Sequence, residues 1–281
     1  MLAFAPLPPR SCRLDPTILD RVPLAIVFAA TLAIALGAIV AGFLRGRHDR
    51  RKKGDDDEGP VGAVVTATSG LLAFMVAMTF AGAASRIDLR KGQLLDEVNA
   101  IGTAYLRAAL VAEPQRTAVR GLLREYVALR ASEVPAHDRA ARAQALLRVV
   151  GESERIHRAL WSQAEAISRA TEPTEYEAML VDSLGEVVER HNSRAAAILH
   201  YRVAPAIWYF LLFAMVLAMA AMGYDFGLSK SRHERVAVVL ALTTAAVITL
   251  VADLDRPGAG TVNVSQAPMR ELQRQIEAMP D

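Results

Sequence analysis

The residues of this sequence that come nearest to a catalytic or metal-binding arrangement are Glu154 and His157, three positions apart in a segment of helical composition. On a helix, this ExxH spacing places a carboxylate and an imidazole on one face, as in the di-iron sites of helical bundles. Such a site needs a second ExxH pair, and three residues after Glu189 lies Asn192, so no second pair exists. We therefore interpret Glu154 and His157 as a surface pair with a partly packed imidazole, and we expect no metal and no cofactor.

Other enzyme motifs are also missing from the sequence. The chain contains no GxxxxGK[ST] phosphate-binding loop, no GxGxxG, no HExxH and no GxSxG. Its single cysteine, Cys12, excludes an intrachain disulfide and a cysteine-based zinc or iron–sulfur site. We predict that the protein is not an enzyme, and we assign no catalytic residue.

Four long apolar runs dominate the chain, whose hydrophobic share is 53%. None of the four contains Asp, Glu, Lys, Arg or His, and each is about long enough to cross a hydrocarbon core of roughly 30 Å as a helix. The sequence therefore predicts an all-α integral membrane protein. Its four transmembrane helices are expected at residues 24–44, 61–84, 203–223 and 236–252.

A polar insert of 116 residues, 85–200, lies between the second and third runs. Pro114, Pro135 and Pro173 each fit the start of a helix better than its interior, so they divide the insert into three amphipathic helices that fold back as a bundle. A break at Gly151, with Ser153 as the next N-cap, would make four. The predicted organisation is 1–84 for the N-terminal segment and first transmembrane hairpin, 85–200 for the helical insert, 201–252 for the second hairpin, and 253–281 for an amphipathic tail.

The second run and the start of the insert form one predicted helix, because no proline occurs in residues 61–113. A helix of about 50 residues is on the order of 75 Å long, which far exceeds the thickness of a bilayer. Its polar half has an apolar seam that requires a partner helix, at Ile87, Leu94, Val98, Ile101, Tyr105 and Ala108. A polar stripe on the opposite side is either a solvated face, the commoner case, or the lining of an aqueous vestibule. The stripe consists of Asp96, Asn99, Thr103 and Arg107.

The apolar half of this helix has a face of small residues. Small side chains let two helix backbones approach closely, so this face favours packing on a neighbouring helix over lining a pore. The residues of this face are Thr66, Gly70, Ala73, Ala77, Ala81 and Ala84.

A charged cluster follows the fourth run, where "DLDRP" places Asp253, Asp255 and Arg256 at the predicted exit from the membrane. Such a cluster can cap a helix, form a salt bridge to the insert, or attract ions to an entrance. The first two are the simpler interpretations.

Charge counts bear on partners and on orientation. The insert carries 16 Lys and Arg and 16 Asp and Glu, which leaves no basic face for phosphates, so the lipid bilayer and not nucleic acid is the expected partner. The two hairpin loops carry nine Lys and Arg against six in the two termini. By the positive-inside rule this difference favours cytoplasmic loops and an insert outside the cytoplasm.

Five segments, in their order and spacing around the four runs, resemble the bestrophin-like domain-of-unknown-function membrane family of bacteria. They are LLAFMVAMTF, DEVNAIGTAYLRA, RGLLREYV, DLDRP and VSQAP, and the resemblance covers residues 61–269. Bestrophins, the implied relatives, are pentameric anion or cation channels whose second membrane helix lines the pore and continues into a cytosolic helical region. The resemblance implies a multi-pass homo-oligomer of the bacterial inner membrane, with permeant ions as further partners and the insert in the cytosol.

By this resemblance, bulky residues of the second helix would form an apolar neck that gates by dewetting. The expected neck residues are Leu72, Phe74, Met75 and Met78. The leading hypothesis is thus an uncharacterised bestrophin-like protein that acts as an oligomeric ion channel. The alternative is a membrane-anchored sensory or scaffold module, whose insert would resemble the periplasmic bundles of bacterial receptors.

Overall fold

The computed structural model describes residues 22–53, 61–132, 139–169, 174–200, 203–229, 234–256 and 264–279. Every regular element in these ranges is an α-helix, which confirms the all-α fold class. The helices are α1 (Leu24–Lys53), α2 (Val61–Ala108), α3 (Gln115–Ala131), α4 (Arg139–Ser168), α5 (Glu175–His200), α6 (Pro205–Leu228), α7 (Glu234–Leu254) and α8 (Ala267–Ala278).

Four of these helices, α1, α2, α6 and α7, are long and apolar enough to cross a membrane, and they fall on the four predicted runs. Helix α1 extends further than the apolar run, because residues 45–53 of the charged segment RGRHDRRKK continue it. The reason is local: Arg and Lys are good helix formers, and positive side chains are favourable near a helix C-terminus.

The chain divides into two compact units. The membrane unit comprises Met1–Arg86 and Arg202–Val262, and the bundle unit comprises Ile87–Tyr201 and Asn263–Asp281. Helix α2 therefore contributes its first part to the membrane unit and the remainder to the bundle unit.

In the membrane unit, α1 and α6 lie in direct backbone contact. A Cβ atom added at Gly42 or Gly46 of α1, or at Gly223 or Gly227 of α6, would lie within 3.0 Å of backbone atoms of the other helix. Gly42 lies against residues 220–224 and Gly46 lies against residues 224–227. Both helices therefore advance in the same direction and run parallel, with their Gly-x-x-x-Gly pairs in contact. Beyond the glycines, Arg50 Nη1 donates to the Ser229 carbonyl at 2.8 Å and closes the C-terminal end of α6.

In the bundle unit, the predicted seam of α2 enters, from Leu94 onward, a continuous apolar core with α3, α4, α5 and α8. Helix α4 passes through Gly151 without a break, so the insert adds three helices to the end of α2 and Ser153 lies buried within a helix. Helix α5 begins with a capping box, in which Thr174 N donates to Glu177 Oε2 at 2.7 Å and Glu177 N donates to Thr174 Oγ1 at 3.3 Å.

The tail helix α8 docks in the same core. Its apolar face, Met269, Leu272 and Ile276, is buried there.

Candidate functional site

Helix α2 carries most of the residues predicted to have a function, and its apolar half contacts its own chain along one narrow line. Within residues 61–84 only Leu72, Thr79 and Ala83 are buried, and their spacing of seven and four keeps them on one seam. In the most apolar 18-residue window of α2, 6% of the residues are buried, against 33% in α6 and 39% in α7. Most of this segment is therefore uncovered within a single chain.

The structure places the four predicted neck residues on different sides of α2. Leu72 is buried toward its own chain, whereas the side chains of Phe74 and Met78 are 65% and 68% exposed and lie one turn apart. Met75 lies between these two sides and is half-buried. Leu71, which was not predicted, is 57% exposed and continues the line of Phe74 and Met78.

The predicted polar stripe lies beyond the membrane segment, in the bundle unit, and α5 holds both of its ends. Arg107 Nη1 donates to the Met179 carbonyl at 3.1 Å and to Ser183 Oγ at 2.6 Å. At the other end, Asp96 lies 3.7 Å from the guanidinium of Arg190. The two middle residues of the stripe, Asn99 and Thr103, are exposed.

A carboxylate that sequence reasoning missed, Glu97, is completely buried at the centre of the bundle unit. Tyr126 of α3 donates its hydroxyl proton to Glu97 Oε1 at 2.6 Å, and Arg130 Nη2 donates to Oε2 at 3.1 Å. Arg194 of α5 also donates to Oε2, and its other nitrogen donates to Gln266 Oε1 at 3.0 Å. One carboxylate thus connects α2, α3 and α5, and Arg194 extends this connection to the residue before α8.

The charges around Glu97 explain how the carboxylate remains ionised in the core. Burial alone would raise its pKa, but the nearby imidazole of His191 and the charges of Arg130 and Arg194 outweigh burial and hold the pKa of Glu97 well below its usual range. Burial and the adjacent carboxylate raise the pKa of Tyr126, so this phenol stays a donor. Since its proton is given to Glu97, the 2.9 Å contact with His191 requires that Nδ1 of that imidazole donates to the phenol oxygen.

Two imidazoles lie against this network. The rings of His157 and His191 meet edge to face at a centroid distance of 4.6 Å, and the Tyr126 ring is 4.9 Å from that of His157. Burial and the neighbouring His191 lower the pKa of His157 to about 3, and its Nε2 is buried without a hydrogen-bond partner. His157 is therefore neutral at physiological pH.

The ExxH pair does not form a joint site, because Glu154 is exposed whereas His157 is buried. Among the residues that the structure describes, no group of three or more His, Cys, Asp and Glu side chains is placed to hold a metal ion.

The charged cluster at the end of α7 lies within the membrane unit. Asp253 and Arg256 are buried, and Asp255 Oδ1 accepts a hydrogen bond from the backbone N–H of Val203 at 3.0 Å. The same oxygen lies 3.9 Å from Arg86 Nη1. Asp255 therefore joins the start of the α6 segment to Arg86, at the end of the apolar half of α2.

A family model of the bestrophin-like domain matches residues 29–269 of the chain. The chain belongs to the bestrophin-like family. No protein of curated function matches this bestrophin-like chain.

Solved structures that resemble the bestrophin-like chain include two variants of a bacterial bestrophin homologue from Klebsiella pneumoniae. They are 13% and 14% identical to it, cover 90% of this chain and 97% of their own, and superpose with a TM-score of 0.61 each. A variant of a membrane protein is 14% identical, covers 91% of this chain and 97% of its own, and has a TM-score of 0.62. At these identities the likeness shows the fold, which is that of a helical membrane protein.

Two features of this bestrophin-like chain were visible in its sequence but were not recognised there. Glu97 lies three residues after Leu94 and four before Ile101, so it occupies a position of the apolar seam. A charge at a seam position indicates a buried partner of opposite sign. The Gly-x-x-x-Gly spacings at Gly42 and Gly223 likewise indicate close contact of membrane helices.

Proposed function

We propose that this bestrophin-like protein forms a homo-oligomeric ion channel in which α2 of each subunit lines the pore. The observation that carries the proposal is the line of exposed apolar side chains at Leu71, Phe74 and Met78, on a helix that its own chain covers along one seam only. A ring of such side chains around a symmetry axis is a hydrophobic constriction, which controls ion passage by dewetting.

The small-residue face of α2 supports contact with a second copy. Gly70 and Ala77 are exposed within one chain, and a Cβ built at Gly70 meets no atom within 4 Å. Because small residues let membrane helices approach closely, this face suits the α2 helix of a neighbouring subunit.

Several of the predicted site residues have a role in this proposal. Phe74 and Met78, with Leu71, form the neck, while Leu72 supports it from the side of its own chain. Beyond the neck, the exposed side chains of the polar stripe give the ion path a hydrophilic lining, and Asp255 fixes the end of the membrane segment through Arg86. The role is that of a channel and not of an enzyme, as the lack of catalytic motifs in the sequence suggests.

The test is single-channel recording of the purified protein in planar bilayers, together with its mass in detergent. We expect an oligomeric mass and currents whose gating or selectivity changes in Phe74→Ala and Met78→Ala. Phe213→Ala is the matched control, because Phe213 is similarly exposed but lies on α6. A monomeric mass with no current above the lipid background would refute the proposal, and unchanged currents in both α2 variants would refute the neck.

We also propose that the protein resides in the bacterial inner membrane with the bundle unit in the cytosol. The bestrophin family supports this orientation, whereas the Lys and Arg counts oppose it. Topology reporters fused after Ser132 and at the C-terminus should both report a cytosolic position, and two external positions would overturn this orientation.

A further inference from the structure

A partly open cavity of about 180 Å³ lies in the membrane unit, between α2, α6 and α7. Leu72 and Ala73 of α2 line it on one side, Met219 and Met222 of α6 on another, and α7 closes the third side with residues that include Thr243. Leu72 lines the cavity whereas Phe74 and Met78 do not, so the cavity and the line of Phe74 and Met78 lie on different sides of α2.

The chemistry of the lining favours a hydrocarbon over water. The polar lining residues are Ser69, Thr243 and Thr244, the hydroxyl of Thr243 is bonded back to the Val239 carbonyl at 2.8 Å, and every other lining side chain is aliphatic or methionine. A buried water needs two to four polar partners, and an apolar cavity of about 150 Å³ stays dry and binds a small hydrocarbon instead. The space described here is large enough for a similar group.

The location of the cavity identifies the hydrocarbon. All three helices that bound it are membrane-spanning by length and composition, so the medium around them is the acyl-chain region of the bilayer. An unfilled void would deprive its lining of dispersion contacts on one side. We propose that the cavity is a binding site for the acyl chain of a bilayer lipid, which packs between α2 and the α6–α7 pair. This site does not depend on ion conduction.

The test uses the full-length protein in phosphatidylcholine vesicles that contain a lipid with a photoreactive diazirine on its acyl chain. After irradiation, peptide mass spectrometry locates the adducts. We expect an adduct on Met219, which is buried but lines the cavity, and none on Met215, which is equally buried one turn earlier and does not line it.

Filling the cavity should remove the adduct. Ala73→Leu fills it from α2, and Thr243→Leu fills it from α7, so each variant should lose the Met219 adduct. Ala67→Leu is the control, because Ala67 is exposed on the same helix away from the cavity and should keep the adduct. The proposal is overturned if Met219 is unlabelled in the natural protein, as it would be with a second copy filling the space, or if labelling persists in both folded variants.

Discussion

The two halves of α2 are buried to very different extents. In the bundle half, residues such as Leu94, Ile101 and Tyr105 are at most 2% exposed and surround an ionised carboxylate, whereas the membrane half buries three residues only. Water forces the bundle half to cover its apolar side chains, but lipid solvates Leu and Phe about as well as a neighbouring helix does. Contacts of the membrane half within the chain are thus set by shape, and most of its apolar surface is left uncovered by its own chain.

The largest effect should come from the close contact between α1 and α6 in the membrane unit. Gly223→Val would place a branched side chain inside the backbone of α1, so we expect no monodisperse protein to be recovered after purification. Gly62→Val in α2 meets no atom within 4 Å and should give natural yields in the same size-exclusion assay. Equal yields of the two variants would show that α1 and α6 are as loosely held as α2.

The next effect should be at the centre of the bundle half. Glu97→Ala leaves Arg130 and Arg194 buried without their shared carboxylate, which should lower the free energy of unfolding by about 3–5 kcal/mol. The adjacent Asp96→Ala removes a half-exposed contact and should cost less than about 1 kcal/mol. Unfolding of the purified protein in detergent measures both, and a similar cost for the two variants would contradict the central role of Glu97.

A smaller effect is expected from acidification. Below about pH 6.5 the imidazole of His157 binds a proton in the unfolded state, whereas in the folded state it stays neutral down to about pH 3. The free energy of unfolding therefore decreases as the pH is lowered through this window. The depressed pKa of Glu97 acts in the same direction at the acidic end. Hydrogen exchange at pH 7 and pH 5 should show faster opening of the bundle half and little change in residues 61–84, which contain no titratable side chain.

His157→Leu removes the imidazole that takes up a proton on unfolding, so it should weaken the pH dependence of hydrogen exchange in the bundle half. Acid-induced opening of equal size in this variant would assign the pH effect to other groups.

The smallest effect on stability is expected at Leu71. This side chain is 57% exposed in the membrane half. Leu71→Ala should therefore change the free energy of unfolding of the protein in detergent by no more than about 0.5 kcal/mol. Leu94→Ala is the matched change in the bundle half, where a buried leucine costs about 2–5 kcal/mol. A large loss at Leu71 would mean that a partner already covers it in detergent.

The sequence predicts most of this fold because its signals are local. Long uncharged runs define the four membrane helices, the proline-free stretch defines α2, and Thr174 with Glu177 defines the start of α5. The extension of α1 could also have been predicted, since no proline occurs between Pro23 and Pro60.

The candidate site was less predictable because it depends on tertiary packing. Leu71 and Leu72 differ by 100° around the helix, and only the positions of α6 and α7 decide which of them faces outward. The partners of Glu97 lie 33 and 97 residues further along the chain, at Arg130 and Arg194, and no local pattern connects them. Sequence periodicity identifies a seam but not the elements that meet there.

The docking of α8 has a consequence for how the protein is made. Met269, Leu272 and Ile276 complete a core that begins near Leu94, and Gln266 holds Arg194. Helices α6 and α7 are synthesised between the rest of this core and α8, so the core cannot close until both of these membrane helices have been made. A chain in which α8 is missing or not yet docked would therefore leave an open apolar groove in the bundle unit.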